Sequence, residues 1–264
     1  MGNPPLVSLH DRDTIAAFLR RSPALHLYEL GDLDDFFWPY TTWYALQVQG
    51  QVQGLALQYT GTALPVLLAV GEDDLEPMRR LLQSLVDFLP RRFYAHLSPG
   101  LVTALAPAYR AESHGLHLKM VLSGRAALNQ IDTTGVVQLG PADQPALEEF
   151  YQASYPGNWF DPRMLQTGYY MGLRRGEEWV SVAGIHVYSP RYRVAALGNI
   201  TTHPHFRGQG LATKVTARLC QALLETVETV GLNVKADNLS AISCYERLGF
   251  ERVAEYEELM MGVE

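Results

Sequence analysis

Apolar positions in the second half of the chain switch between a period of two and a period near 3.6, and the switching marks its elements. Residues 136–139 read as a strand, and residues 143–154 as a helix with Ala146, Leu147 and Phe150 inward. An aromatic loop, Tyr155-Pro156-Gly157-Asn158-Trp159-Phe160, follows. Asp161 can cap a helix with Pro162 at its first position. Residues 169–174 and 179–188 form two strands around a turn at Gly176, and residues 192–202 form a third after Ser189-Pro190-Arg191. A long helical pattern comes next, carried by Leu211, Val215, Leu219, Ala222, Leu223, Thr226 and Val230, with Gly231 as its stop. Residues 232–236 look like a strand. Asn238 can then cap a helix that sets Ile242, Tyr245 and Leu248 on one face. Gly249 ends it, and residues 250–261 return as one or two strands.

The first half repeats this order. Residues 63–70 are strand-like, and a loop from Gly71 leads into a helix with Leu81, Leu82, Leu85, Val86 and Leu89 inward. A short strand at 93–97, a helix at 101–109 and a strand at 117–122 follow. The seam is the polar stretch 129–135. The expectation is an α+β chain of two similar domains, 1–130 and 131–264. Each is a mixed, mostly antiparallel twisted sheet flanked by helices.

Composition narrows the function. The 264 residues are 47% hydrophobic and 19% charged, enough to bury a core, and the net charge is −7. Both halves are acidic, which argues against nucleic acid or an anionic membrane as partner. The apolar run at 63–70 contains Pro65 and falls well short of a roughly 20-residue span. Met1-Gly2-Asn3-Pro4-Pro5-Leu6 shows no basic segment leading into an apolar one, and Leu6 stands where myristoylation wants Ser or Thr. Cys220 and Cys244 give no disulfide framework and fit a reducing, cytoplasmic setting.

The most informative segment is His203-Pro204-His205-Phe206-Arg207-Gly208-Gln209-Gly210-Leu211-Ala212, between a strand and the start of the long helix. Helix N-termini carry unpartnered N–H groups and a positive dipole end. Gly208 and Gly210 let main-chain amides approach an anion, Ala212 extends that approach into the first turn, and Arg207 adds charge. The design suits a pyrophosphate. It is neither a Walker loop nor a Gly-x-Gly-x-x-Gly turn, since Thr213 stands where the third glycine would be.

Arg207-x-x-Gly210-x-Ala212 resembles the acyl-CoA loop of the GCN5-related N-acetyltransferase (GNAT) superfamily. A second signature follows: Asn238-x-Ser240-Ala241-x-x-x-Tyr245-Glu246-x-Leu248-Gly249-Phe250. The chain as a whole is similar to the tandem, FR47-like branch. The resemblance implies two GNAT-like domains and acetyl-CoA, or another acyl-CoA, as co-substrate, with no metal. It places the cofactor on Ile200, Thr202, Arg207, Gly208, Gln209, Gly210, Leu211, Ala212, Thr213 and Asn238. It implies Tyr245 as the catalytic acid and a small-molecule or peptide amine as acceptor, and it leaves a homodimer open. In the first half the matching loop is Gly71-Glu72-Asp73-Asp74-Leu75-Glu76-Pro77, whose four carboxylates would repel phosphate. That half is expected to have no cofactor site.

Acyl transfer to an amine needs an amine that has lost its proton, donors at an oxyanion, and a proton for the leaving thiolate. The resemblance implies that the strand residues Gly198-Asn199-Ile200-Thr201-Thr202 line the pantetheine arm, with a bulge that Gly198 could mark and the N–H of Ile200 or its neighbour as an oxyanion donor. No general base stands out; His186 and His203 could accept a proton directly or through water, against the plainer reading of ordinary structural histidines. Cys244 adjoins Tyr245, but neighbours on a helix point about 100° apart, so direct transfer is favoured over an acyl-cysteine. Tyr155, Trp159, Phe160, Tyr169 and Tyr170 suggest a partly apolar acceptor. Asp32, Asp34 and Asp35 could attract a cationic amine, against the plainer reading of caps and solvated charges. The rival functions are a longer-chain acyltransferase of the glycine N-acyltransferase-like kind and a non-catalytic acyl-CoA sensor.

Overall fold

The computed structural model of the protein describes residues 6–106 and 108–263, so the reading of the first five residues lies outside the described ones. The chain divides into two compact units. Unit one comprises the chain up to Lys119, Lys235–Asp237 and the chain from Val253; unit two comprises Met120–Val234 and Asn238–Arg252.

Unit one begins with β1 (Leu6–Leu9), α1 (Arg12–Leu19) and α2 (Leu27–Gly31). The hairpin β2 (Thr41–Val48) and β3 (Gln51–Tyr59) follows, then β4 (Val66–Ala69), α3 (Glu76–Leu85), β5 (Arg92–Leu97) and β6 (Arg110–Leu122), which runs on into unit two. Unit two adds β7 (Val136–Leu139), α4 (Gln144–Ser154), β8 (Tyr170–Arg175), β9 (Glu178–Ser189), β10 (Val194–Thr202), α5 (Leu211–Leu223), β11 (Thr229–Lys235) and α6 (Leu239–Arg247). The last strand, β12 (Phe250–Gly262), opens in unit two and finishes in unit one.

In unit one the strands lie in the order β1-β2-β3-β4-β5-β12-β6. From β1 to β12 they are antiparallel except for the pair β4·β5. In unit two the order is β7-β8-β9-β10-β11, and β10·β11 is the parallel pair. The α3 helix turns Met78, Leu81, Leu82 and Leu85 onto one face, the 3.6-residue repeat in action, and they pack with Phe93, Leu97 and Met261. Helix α5 does the same with Val215, Leu219 and Leu223 against β8, β9 and β10. Among the described residues no helix is long and apolar enough to cross a membrane.

Several expectations change. Ala146 is exposed, while Leu147 and Phe150 are buried as expected, together with Tyr151 and Ser154. The long helix stops at Leu223, not at Gly231. Its apparent continuation contains Thr226, Val227, Thr229 and Val230, β-branched residues that favour a pleated strand, and Gly231 lies inside β11. The helix expected at 101–109 is a short 3-10 turn, Leu101–Ala104. Asp32 is not a solvated charge. It is buried with Glu29 and Lys119. Burial raises its carboxyl well above the usual range, and the Glu29 charge adds to that. Burial also acts against Glu29, but the Lys119 ammonium and His26 outweigh it and hold that carboxyl at about 2. Asp34 accepts from the Phe36 N–H, and Asp35 pairs with Arg12.

The C-terminal segment completes the sheet and core of unit one. Residues 257–262 pair with β5, and Tyr256, Leu259 and Met261 are no more than 3% exposed. Burying three such side chains is worth about 5–9 kcal/mol, comparable to a whole domain's stability. A chain ending at Arg252 should therefore lose the cooperative melting of unit one and expose residues before 119 to limited proteolysis. Intact protection there would show that β12 is dispensable.

Candidate active site

In unit two the parallel ladder between β10 and β11 runs only from Val194↔Thr229 to Leu197↔Leu232. Beyond it β10 continues through Gly198 to Thr202 with no further partner on that side among the described residues. On its other side β10 carries a bulge: Gly198 pairs with Gly184 and Thr201 with Val182, so Asn199 and Ile200 together face Ala183. A bulge leaves one residue outside the ladder and bends the strand. The result is a slot with irregular backbone on one wall. Gly198 precedes the bulge and has a different purpose from the one expected. Its missing Cβ makes room for the His186 ring, which would stand 2.1 Å from it.

Unit one shows the contrast. There β4 pairs with β5 along its whole length, Val66↔Tyr94 to Ala69↔Leu97. The Ser98 N–H then donates to the Ala69 carbonyl (3.3 Å) and the Gly71 N–H to Ser98 Oγ (3.0 Å), closing the place where a slot would open. Three carboxylates of the acidic loop have partners within unit one: Glu72 accepts from Ser22, Asp74 from the Glu76 N–H, and Glu76 pairs with Arg79.

The loop after β10 makes a 3-10 turn, Pro204–Phe206, capped by His203 Nδ1, which accepts from the His205 N–H. Gly208 (φ +76°) and Gly210 (φ +73°) both take the left-handed conformation that favours glycine, and open space lies where their Cβ would be. Gly210 is the N-cap of α5, and no side chain caps the helix. The N–H groups of its first turn, at Leu211, Ala212 and Thr213, are thus left for a ligand or water. The Arg207 guanidinium is tied back, donating to the carbonyls of Thr202 (3.2 Å) and Ser154 (3.4 Å), so it braces the loop against the end of α4. A second cation was missed by the sequence. Arg175, at the end of β8, donates to Gln209 Oε1 (2.7 Å) and lies 5.1 Å over the Phe206 ring. Nothing in the local pattern distinguishes it from an ordinary strand-end arginine.

Asn238 caps α6 with Oδ1, accepting from the Ala241 N–H (3.2 Å) and the Ser240 hydroxyl (3.4 Å). That leaves its amide nitrogen as the part suited to a ligand. Tyr245 is buried on α6, with its ring 5.9 Å from that of Phe250. Cys244 makes a 3.2 Å contact with the Thr213 hydroxyl, and burial pushes its thiol up. Cys220 is raised further by burial and by Cys244. Both therefore remain thiols rather than nucleophilic thiolates. Burial lowers His186 to about 4, which makes it a weak base.

The aromatic candidates separate. Tyr155 and Trp159 are 43% and 45% exposed. Phe160 packs between Tyr151 and Tyr170, and Tyr170 is wholly buried. Tyr169 joins Tyr188 and Thr226 just past the C-terminal end of α5, the opposite end from the glycine loop. Of these five aromatics only Tyr155 and Trp159 are exposed.

An opened parallel pair, a bulge beside it and an uncapped helix N-terminus coincide in one unit, and the comparisons agree. Residues 137–250 match the Acetyltransferase (GNAT) family model, a family whose members are acyl-CoA-dependent N-acyltransferases. Among solved structures, an X-ray structure of a Drosophila protein is similar over 98% of this chain and 99% of its own, with TM-score 0.70 and 14% identity. An acetyltransferase from the GNAT family of Colwellia psychrerythraea is similar over 98% and 99% respectively, with TM-score 0.55 and 14% identity. A tandem GNAT protein from the clavulanic acid biosynthesis pathway is similar over 97% of each chain, with TM-score 0.56 and 15% identity. The chain as a whole has the tandem GNAT fold. No curated protein sequence matches it.

Proposed function

We propose that unit two transfers an acetyl group from acetyl-CoA to a primary amine by direct attack in a ternary complex. The observation that carries this reading is the β10·β11 ladder opening beside the bulge, with the uncapped start of α5 at the end of the same strand. In this reading the pyrophosphate lies on the N–H groups around Gly208, Gln209, Gly210, Leu211, Ala212 and Thr213. Arg207 and Arg175 supply charge at the loop. The pantetheine arm follows the backbone of Ile200 and Thr202, and the Asn238 amide donates to it. Holding donor and amine together replaces a bimolecular encounter with an effective molarity of about 10⁵–10⁸ M. The amine, with a pKa of about 10.4 for a lysine-like group, attacks once deprotonated. A main-chain N–H at the bulge stabilises the oxyanion, and Tyr245 donates to the departing sulfur.

A thiol-release assay with acetyl-CoA and longer acyl-CoAs, run against amines, amino acids and peptides, tests the reading. Release above background hydrolysis with acetyl-CoA is expected. Preference for a long acyl chain would move the protein to the glycine N-acyltransferase-like kind, and tight binding without release would make it a sensor.

The closed β4·β5 pair and the acidic loop support a single cofactor site per chain. Calorimetry should find one acetyl-CoA per chain. A second equivalent would mean that unit one retains a site.

A further inference from the structure

Three non-glycine residues among those described have positive φ: Gln49, Arg193 and Asn199. Gln49 lies between β2 and β3, and Arg193 between β9 and β10, where turns call for such a conformation. Asn199 (φ +54°) lies inside β10 and is buried. A strained backbone inside a strand persists only when its surroundings over-determine it, and such strain gathers at functional sites.

The surroundings here come from three separate segments. Tyr151 on α4 donates its hydroxyl to the Asn199 carbonyl (2.9 Å). The Asn199 amide nitrogen donates to the Tyr170 hydroxyl on β8 (3.1 Å) and to the Trp159 carbonyl (3.5 Å). Tyr170 in turn donates to the Ile185 carbonyl (3.2 Å). Both phenols are at most 2% exposed, and burial raises both, so they stay protonated donors. Even the seat of Tyr170 is prepared. A Cβ on Gly184 would stand 2.2 Å from its ring. A merely well-packed strand needs none of this, and an apolar residue at 199 with normal φ would serve it better. What the network does fix is the direction of the peptide groups on either side of Asn199, at the wall of the slot.

We propose that Asn199 is a positioning residue for acyl transfer, clamped by Tyr151 and Tyr170 so that the bulge holds the thioester carbonyl in its reactive alignment. The proposal rests on the acyltransferase reading of the same slot. Asn199 touches no reacting atom in this account. It acts through the backbone it orients.

The test uses the full chain and three variants, Tyr151→Phe, Asn199→Ala and Asn199→Gly. Glycine accepts the positive φ, so Asn199→Gly keeps the fold available if Asn199→Ala does not. Three quantities are read: acetyl-CoA affinity by calorimetry, the ¹³C shift of the bound carbonyl of [1-¹³C]acetyl-CoA, and turnover per folded molecule. All three variants should bind acetyl-CoA within about 3-fold of the parent while losing at least about 10-fold in turnover, since a misplacement near 1 Å can cost 10²-fold. The carbonyl shift should move toward that of free acetyl-CoA. Asn199→Gly should recover melting temperature over Asn199→Ala without recovering the carbonyl shift. A carbonyl shift and turnover unchanged in the variants, or affinity falling in step with turnover, would overturn the proposal. If the unmodified chain fails to bind acetyl-CoA, the acyltransferase reading itself falls, and that is seen before any variant is made.

Discussion

Gly210→Glu should abolish acetyl-CoA binding while leaving the chain folded. The structure gives both halves of that expectation. Gly210 has φ +73° and nothing within 4 Å of its ideal Cβ, so a side chain meets no steric clash. It pays for the left-handed backbone alone, about 1–2 kcal/mol, which a domain stable by about 5–15 kcal/mol survives. The effect on binding is much larger. A carboxylate at this position can accept from the first-turn N–H groups of α5, which no side chain now caps, and so competes for the donors a diphosphate needs. It also repels that diphosphate. Two like charges about 4 Å apart near a protein surface cost about 4 kcal/mol, or about a thousandfold in affinity. Gly210→Ala separates the two contributions, because it carries the same backbone strain without charge or reach. Calorimetry should show no detectable binding for Gly210→Glu and a loss of at most about 30-fold for Gly210→Ala, the ceiling that this strain sets. Equal losses would mean that loop geometry is what matters. Undiminished binding by Gly210→Glu would place the pyrophosphate elsewhere.

The loop and the capped helix after it were legible because their chemistry is local. Glycines in left-handed conformations, a helix start and an Asn cap are each set by a few neighbouring residues, and Asn238 and Gly249 bound their helix as the sequence predicts. What escaped was set by partners distant in the chain. Tyr151 shares the spacing of Leu147, Phe150 and Ser154 and so reads as one more core position, although its hydroxyl serves a carbonyl 48 residues away. Periodicity carries an apolar face but not the hydrogen bond at its far end. The bulge was sought at the glycine, whereas the structure puts it at the next residue, where an asparagine tolerates positive φ because its side chain is held. The first sixty residues drew no strand assignments, yet they supply β1, β2 and β3. The path of β12 was invisible for a related reason. Alternation marks a strand but not the sheet in which it pairs.

Tyr245→Phe should slow turnover by about 10²–10⁴-fold, the usual worth of a positioned general acid, and change acetyl-CoA affinity by less than about 2-fold. The ring keeps its packing against Phe250, so the substitution deletes one hydroxyl and leaves α6 in place. Proton transfer from a phenol with pKa near 10 to a thiolate whose conjugate acid is near 8.5 is uphill by about 2 kcal/mol. In the proposed mechanism the hydroxyl therefore acts chiefly as a hydrogen-bond donor while the C–S bond breaks, and collapse of the tetrahedral intermediate draws the proton across. An interaction that exists only as charge reaches sulfur lowers the barrier without tightening the ground state, which is why kcat should move and affinity should not. Cys244→Ala is the necessary companion. If acyl transfer went through a cysteine, that variant would be inactive. With its thiol buried and in contact with Thr213, its loss should cost turnover less than about 3-fold, within the range of an ordinary small core change. Single-turnover thiol release, measured on both variants with the amine that supports the highest rate, distinguishes the routes. A fast Tyr245→Phe enzyme beside a dead Cys244→Ala enzyme would replace direct attack with a covalent intermediate and remove the phenol from the reaction.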